Sequence, residues 1–309
     1  MRLRDKETNT LTFRRLNVKL KDMKKQGIHI EELPDLKEPI LIAGFDGWGN
    51  ALDVSKGMAA YLIRKLKARS FARIDPDTFY SYDADRPMVN IEAGTLKSLS
   101  SPGGFFYAAR TGSDGNDLVI LEADEPNLRW FHFVDELFSL CGNLGVETII
   151  TLGSMYDNVL HTDRIISGIT SNKDYFSKLR QKGIIPVSYQ GPGAIHSIIQ
   201  SEGEKRGFQC ISLWCHCPYY LQNTTHYGFL SHLGALLSFL GQFELHTEDL
   251  EASMKELDEQ IEKLIENSLE IQDIINEIRR AKVRGSWASM KKSIKGEKVI
   301  NLKDFLKPR

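Results

Sequence analysis

Ile40-Leu41-Ile42-Ala43-Gly44-Phe45-Asp46-Gly47-Trp48-Gly49-Asn50 decides the fold. Ile40 to Ala43 is an unbroken apolar run, as a strand covered on both faces requires. Gly44, Gly47 and Gly49 then allow the chain to turn. From Ala51 onward, Leu52, Met58, Tyr61, Leu62 and Leu66 fall in a helical pattern. Strand, glycine loop and helix in that order form the repeating unit of an α/β sheet.

The unit recurs on either side. Residues 118–121 read as another buried strand, ending at Ala123-Asp124-Glu125-Pro126 and followed by a helix over 128–144. Further strands are expected at 148–152, 184–189 and 208–214, with a helix over 194–205 after Gly191-Pro192-Gly193. Met88–Glu92 and residues 105–109 look like strands of a hairpin-rich insert. The expected fold is a three-layer α/β/α sandwich with a mostly parallel, mixed central sheet. It divides into a polar extension (1–38) containing a short helix over 13–25, a core (39–246), an acidic heptad helix (247–283) and a basic tail (284–309).

Composition narrows the function. The chain has 309 residues, 41% hydrophobic and 26% charged, with a net charge of −1, so bulk charge does not favour nucleic acid. Charge is nevertheless segregated. Residues 247–278 hold eleven acids and two bases, and residues 279–309 hold eleven bases and two acids. Acidic helix and basic tail are expected to neutralise each other; phosphate binding by the tail is the weaker alternative. No run reaches the length of a membrane span, and no secretory h-region follows Met1. Four cysteines are too few for a disulfide framework, which implies a reduced, cytoplasmic chain.

Ligands of such sheets gather beyond the carboxyl ends of the strands. The residues expected on that rim are Asp46, Trp48, Asp124, Glu125, Asp157, His161, Tyr189 and Gly191. Convergence of Glu125, Asp157 and His161 would supply a general acid and base, whereas bland roles fixing the rim loops need no convergence. Glu125 would then cap the helix that follows it. The glycine loop lacks the order of a dinucleotide fingerprint and a P-loop lysine, leaving an anion cradle or a simple turn. No nucleophile elbow is present. Cys215-His216-Cys217 offers too few ligands for structural zinc, so no metal or cofactor is expected.

Two regions suggest protein contact. Leu250, Met254, Leu257, Ile261, Leu264, Ser268, Ile271, Ile275 and Ile278 form a heptad seam with one polar break. It packs either within the domain or between subunits, and Leu257, Ile261, Leu264 and Ile271 are the interface candidates. Tyr219 and Tyr220, following Pro218 at a strand end, are the others.

In order and spacing, Ala43 to Ala51, Phe79-Tyr80 with Arg86-Pro87, Glu125-Pro126 with Trp130, Leu152-Gly153-Ser154, His161-Thr162, Tyr189-Gln190-Gly191-Pro192 and Trp214 to Tyr220 resemble the proteasome assembly chaperone family, in the branch related to the second eukaryotic chaperone. The resemblance spans about residues 39–243. It implies a fold like that of nucleoside phosphorylases and peptidyl hydrolases, homo- or hetero-oligomers, and proteasome α subunits as partners. The chain departs from some archaeal members in ending Leu306-Lys307-Pro308-Arg309, without a hydrophobic-tyrosine-any docking tripeptide. The expected function is a non-enzymatic, oligomeric protein-binding protein. The alternative is a small-molecule binder or enzyme, hydrolase- or ligase-like, using the rim.

Overall fold

The computed structural model describes residues 27–112, 115–283 and 300–301. The helix expected over 13–25 and most of the basic tail lie outside them. The strands are β1 (Ile28–Ile30), β2 (Ile40–Asp46), β3 (Arg69–Ile74), β4 (Met88–Glu92), β5 (Thr95–Ser100), β6 (Gly104–Ala109), β7 (Leu118–Asp124), β8 (Thr148–Asp157), β9 (Ile166–Thr170), β10 (Ile185–Pro186), β11 (Gln209–Pro218), β12 (Leu221–Gln222) and β13 (Ile300–Asn301). The helices are α1 (Ser55–Lys65), α2 (Pro76–Phe79), α3 (Trp130–Leu144), α4 (Lys173–Gln181), α5 (Ile195–Lys205), α6 (Tyr227–Gly241), α7 (Glu248–Asn267) and α8 (Leu269–Val283).

The main sheet runs β1-β3-β6-β7-β2-β8-β11-β9-β10. Its centre, β7-β2-β8-β11, is parallel, while β1, β3, β6 and β9 bring in antiparallel pairings. Alternation along β2 shows why its apolar run is unbroken: Ile40 and Ile42 face one core, Leu41, Ala43 and Phe45 the other. The first core is covered by α1, α6, α7 and α8, and the second by α3 and α5. This is a three-layer sandwich with a mixed sheet.

Local sequence explains the entry to α1. Gly47 takes φ +120°, a conformation open to glycine. Asn50 Oδ1 then accepts the Ser55 and Lys56 N–H groups at 2.9 and 3.2 Å, capping the helix from its own loop.

Three features differ from expectation, and a fourth decides between the two packings offered for the heptad seam. Strand β1 belongs to the stretch read as an extension, yet it pairs with β3 in the main sheet. Strand β10 covers only two residues of the expected 184–189. The heptad helix is two helices: Ser268 is extended (φ −130°, ψ 106°), and its carbonyl accepts the Gln272 N–H at 3.1 Å as α8 begins. The seam is covered by the chain itself. Leu257, Ile261 and Ile271 are only 4%, 1% and 4% exposed, in the same cluster as Phe229, Leu233 and Leu237 of α6. Leu264 is half-buried. The apolar stripe is therefore satisfied within the fold and is not a bare interface. No helix among the described residues is long and apolar enough to cross a membrane.

Candidate functional site

The carboxyl ends of β2, β7, β8 and β11 do form one rim, but its two halves differ. Over β2 and β7, Lys56 of α1 reaches Asp124 at 2.8 Å and Asp46 at 3.5 Å. Burial opposes the Lys56 charge, but the Asp124 hydrogen bond and the fields of Asp124, Asp46 and Glu122 outweigh it and raise the ammonium above its ordinary range. Asp46 shows the mirror effect: burial pushes it up, and Asn50, Lys56 and the Gly47 N–H bring it net down. Asp124 also accepts the Gly103 N–H at 3.0 Å. Glu125 Oε1 accepts the Ile195 N–H at 2.8 Å, so it caps α5 and not the helix that follows it. The helix end suggested as an anion cradle is occupied by Asn50 and ringed by carboxylates, which repel anions. This half of the rim is closed by its own partners.

Over β8 and β11 the rim opens into a cavity of about 420 Å³ between the sheet and α5. Strand alternation builds it. Ser212, Trp214 and His216 of β11 line it, whereas Leu213, Cys215 and Cys217 point into the opposite core. Gly153 on β8 is needed here, because a Cβ would lie 2.7 Å from the Trp214 ring. Trp214 donates Nε1–H to Ser212 Oγ at 2.9 Å, and Thr151 reaches the same oxygen at 2.9 Å. Trp48, 62% exposed, stands edge-on to Trp214 with centroids 6.4 Å apart.

Asp157 Oδ2 lies 2.8 Å from His216 Nδ1, and His216 Nε2 lies 2.9 Å from Ser167 Oγ. Asp157 can only accept, so Nδ1 carries the proton given to it, and Nε2 shares a hydrogen bond with the Ser167 hydroxyl. The order imitates an acyl-transfer triad, but Ser167 is fully buried and does not line the cavity. Its hydroxyl orients the imidazole. On the α5 wall, His196 Nε2–H donates to Leu152 O at 2.8 Å, and burial drives its pKa down to about 4.

Of the expected rim residues, Trp48, Asp157 and Tyr189 line this cavity; Asp46, Asp124, Glu125, His161 and Gly191 do not. Of Glu125, Asp157 and His161, the trio whose convergence would have supplied an acid and base, only Asp157 lines the cavity. His161 Nδ1 sits 2.8 Å from Tyr220 Oη, which also accepts the His161 N–H at 2.8 Å. Burial, then Arg164 and Arg279, depress the His161 pKa, and the pair acts as a structural node. Tyr220 is fully buried there, which corrects its reading as a contact residue; Tyr219 is half-buried against its ring. His196 has no flanking motif in the sequence, and His216 stands there only within Cys215-His216-Cys217, as a metal-ligand candidate; β11 alternation beside Trp214 is the signal that places it on the cavity side. Burial raises the Cys215 and Cys217 thiols well above their ordinary range, leaving them unreactive. Among the described residues, no group of three or more His, Cys, Asp or Glu is placed to hold a metal ion.

A second feature leaves the sheet at the same end. Strands β4 and β5 pair only with each other, and β6 starts at the carboxyl end of β7, so the arm projects from the rim. In register, Val89 faces Leu99 and Ile91 faces Leu96, while Met88–Ser100, Asn90–Ser98 and Glu92–Thr95 occupy the other face. A bulge at Lys97 keeps Leu96 and Leu99 on one side. Val89, Ile91, Leu96 and Leu99 are 53%, 61%, 58% and 62% exposed.

The PAC2 family profile matches residues 41–265. Among solved structures the chain is similar to a PAC2 family protein of Streptomyces avermitilis, at 27% identity and TM-score 0.68, covering 77% of this chain and 99% of that one. It is similar to a proteasome-assembly chaperone homologue of Mycobacterium tuberculosis, at 26% identity and TM-score 0.68, covering 76% and 99%. An archaeal proteasome activator of Pyrococcus furiosus shares the fold at 19% identity and TM-score 0.61, with 77% and 97% covered. No curated protein matches the chain. The family profile spans most of the sandwich and the start of the C-terminal helices, and the chain belongs to the PAC2 family.

Proposed function

We propose that this chain is an oligomeric protein-binding protein of the assembly-chaperone type, working without catalysis in the reducing cytoplasm, with the β4–β5 arm as its docking element. Membership of the PAC2 family supports a chaperone-like role. The observation that carries the reading is the bare apolar face of the arm. An isolated two-stranded hairpin is marginal in water and needs a further layer over its apolar face. Val89, Ile91, Leu96 and Leu99 have none within the described chain, and such patches mark protein contacts. The occupant is a second copy of the chain, a subunit of a larger assembly, or both in turn. Similar structures described as a proteasome-assembly chaperone homologue and a proteasome activator make proteasome subunits the first partners to try.

Native mass spectrometry of the protein purified gently from its own cells tests this. The expected result is a complex of fixed stoichiometry, lost in a variant carrying Val89→Ser, Ile91→Ser, Leu96→Ser and Leu99→Ser whose melting temperature is unchanged. A monomer with no protein partner, or a complex indifferent to those substitutions, contradicts the proposal.

A further inference from the structure

We propose that the β8–β11–α5 cavity binds an uncharged, flat aromatic molecule of about two fused rings, with its polar edge turned toward α5. This goes beyond the protein-binding reading and stands independently of it. A protein cavity of about 150 Å³ can hold benzene, and small-molecule sites run from about 300 to 1,000 Å³. At about 420 Å³ this one has room for a bicyclic body with a short substituent.

Two indoles set the shape. Trp214 and Trp48 both line the cavity, at 67° to each other and with centroids 6.4 Å apart, so the pair makes a corner. A planar ring stacked on one wall of that corner presents its edge to the other. Both contacts are favoured aromatic geometries, offset-stacked and edge-to-face. A puckered saturated ring of the same size gains neither.

The floor holds no free charge. Asp157 is engaged by His216 Nδ1 at 2.8 Å and by the Asn158 N–H at 2.7 Å, among other contacts. His216 also bonds Ser167 Oγ at 2.9 Å. Among the described residues no lysine or arginine lines the cavity, and its other carboxylate, Glu204, is exposed on the last turn of α5. A charged ligand would give up hydration without a fixed counter-ion in return.

Accessible hydrogen-bonding groups lie on the opposite wall. Ser197 and Ser201, one turn apart on α5, and Ser188 on the loop before it all line the cavity and are exposed. A hydroxyl both donates and accepts, so these serines suit a neutral polar edge. They decide which end of the ring system faces outward.

The walls are set before a ligand arrives. Trp214 gives Nε1–H to Ser212 Oγ, and three of its ring atoms stand 2.7–2.8 Å from where a Gly153 Cβ would be, so the ring lies over that glycine. The Tyr189 hydroxyl, donating to Pro192 O at 2.9 Å, pins the loop that carries its ring. Such fixing lowers the ordering cost of binding. Trp48, Tyr156 and Tyr189 are meanwhile exposed around the cavity, and covering that aromatic surface is the driving force.

Calorimetric titration of the full chain with four related probes tests this: 2-naphthol (flat, neutral), trans-2-decalol (saturated, neutral), 2-naphthoate (anion) and 2-naphthylmethylamine (cation). 2-Naphthol is expected to bind with a Kd of about 0.1 mM or tighter. It should bind about fivefold more tightly than trans-2-decalol and about tenfold more tightly than either charged probe. Trp48→Ala, at an exposed position, should weaken 2-naphthol about tenfold with the melting temperature unchanged. The Ser197→Ala/Ser201→Ala pair should weaken it about threefold. A saturated or charged probe that binds as tightly as 2-naphthol, indifference to either substitution, or no 2-naphthol binding up to about 1 mM overturns the proposal. The serine-substituted arm must bind 2-naphthol as the wild type does; this keeps a failure here distinct from a failure of the docking reading.

Discussion

The heptad seam and the β4–β5 arm are both amphipathic, and their fates in the fold are opposite. The seam has the stronger sequence signal, nine positions from Leu250 to Ile278 alternating by four and three. The structure buries it: α7 and α8 wrap it onto α6, with Ile261 at 1% exposure. The arm has the weaker signal, and its four apolar residues are each more than half exposed. An apolar stripe states that it needs cover; it does not state what covers it. The seam is part of the core, and the arm's apolar face is left exposed among the described residues.

Substitutions should separate the two. The largest effect belongs to the seam. Ile261→Ala removes a side chain from a filled core and is expected to cost about 4 kcal/mol in chemical denaturation, with assembly of the folded fraction unchanged. A loss below about 1 kcal/mol would mean that α7 is not docked as described.

Acid should act on the same side. His226 caps α6, the helix that covers the seam, and is fully buried with neither ring nitrogen partnered among the described residues. Burial, helped by Arg164, pushes its pKa from 6.5 to about 3. Its folded pKa is depressed, so below about 6.5 the unfolded chain takes up a proton that the folded chain refuses, and stability falls as pH falls. The expected loss by pH 4 is about 3 kcal/mol. His196, held near pKa 4, adds a similar slope on the opposite face. His226→Leu should flatten the His226 part of the curve between pH 6.5 and 4. An unchanged slope in that variant would contradict the assignment. Asp46, whose pKa is lowered from 3.8, loses its contribution only at still lower pH, which keeps the two effects apart.

A smaller effect belongs to the rim. Glu125→Ala leaves the Ile195 N–H without its acceptor and should cost about 1–2 kcal/mol. Faster hydrogen exchange should follow at the start of α5, with none at the seam or the arm. The smallest effect is the arm's. Leu96→Ser with Leu99→Ser should move stability by less than about 0.5 kcal/mol while weakening self-association or partner binding at least tenfold, about 1.4 kcal/mol. A large loss of stability would show the arm to be packed on its own chain.

The parallel centre of the sheet was legible because its strands are buried on both faces and read as apolar runs. Strands β3 and β9 were not, since Arg69–Ile74 and Ile166–Thr170 mix polar and apolar residues at the flanks of the sheet. The arm was half-legible. Met88–Glu92 reads as a strand, but the Lys97 bulge sets Leu96 and Leu99 three positions apart and breaks the two-residue rhythm that would have exposed its apolar face. At the rim the sequence supplied acids without their partners. Asp46, Asp124 and Glu125 are consumed by Lys56, Gly103 and Ile195, and Glu125 finds its helix seventy positions away in the chain. Asp157 instead pairs with His216, from a strand that is adjacent only in space. Which carboxylate faces an open cavity is a fact of topology, and no local spacing encodes it.

Hydrogen–deuterium exchange of the wild-type chain, compared between the assembled complex and the diluted protomer, tests the docking claim most directly. The account predicts that amides of Met88–Glu92 and Thr95–Ser100 are protected in the complex and exchange rapidly after dilution, with Glu248–Asn267 equally protected in both. An arm that exchanges freely inside the complex, with new protection appearing along the seam helices, would contradict it.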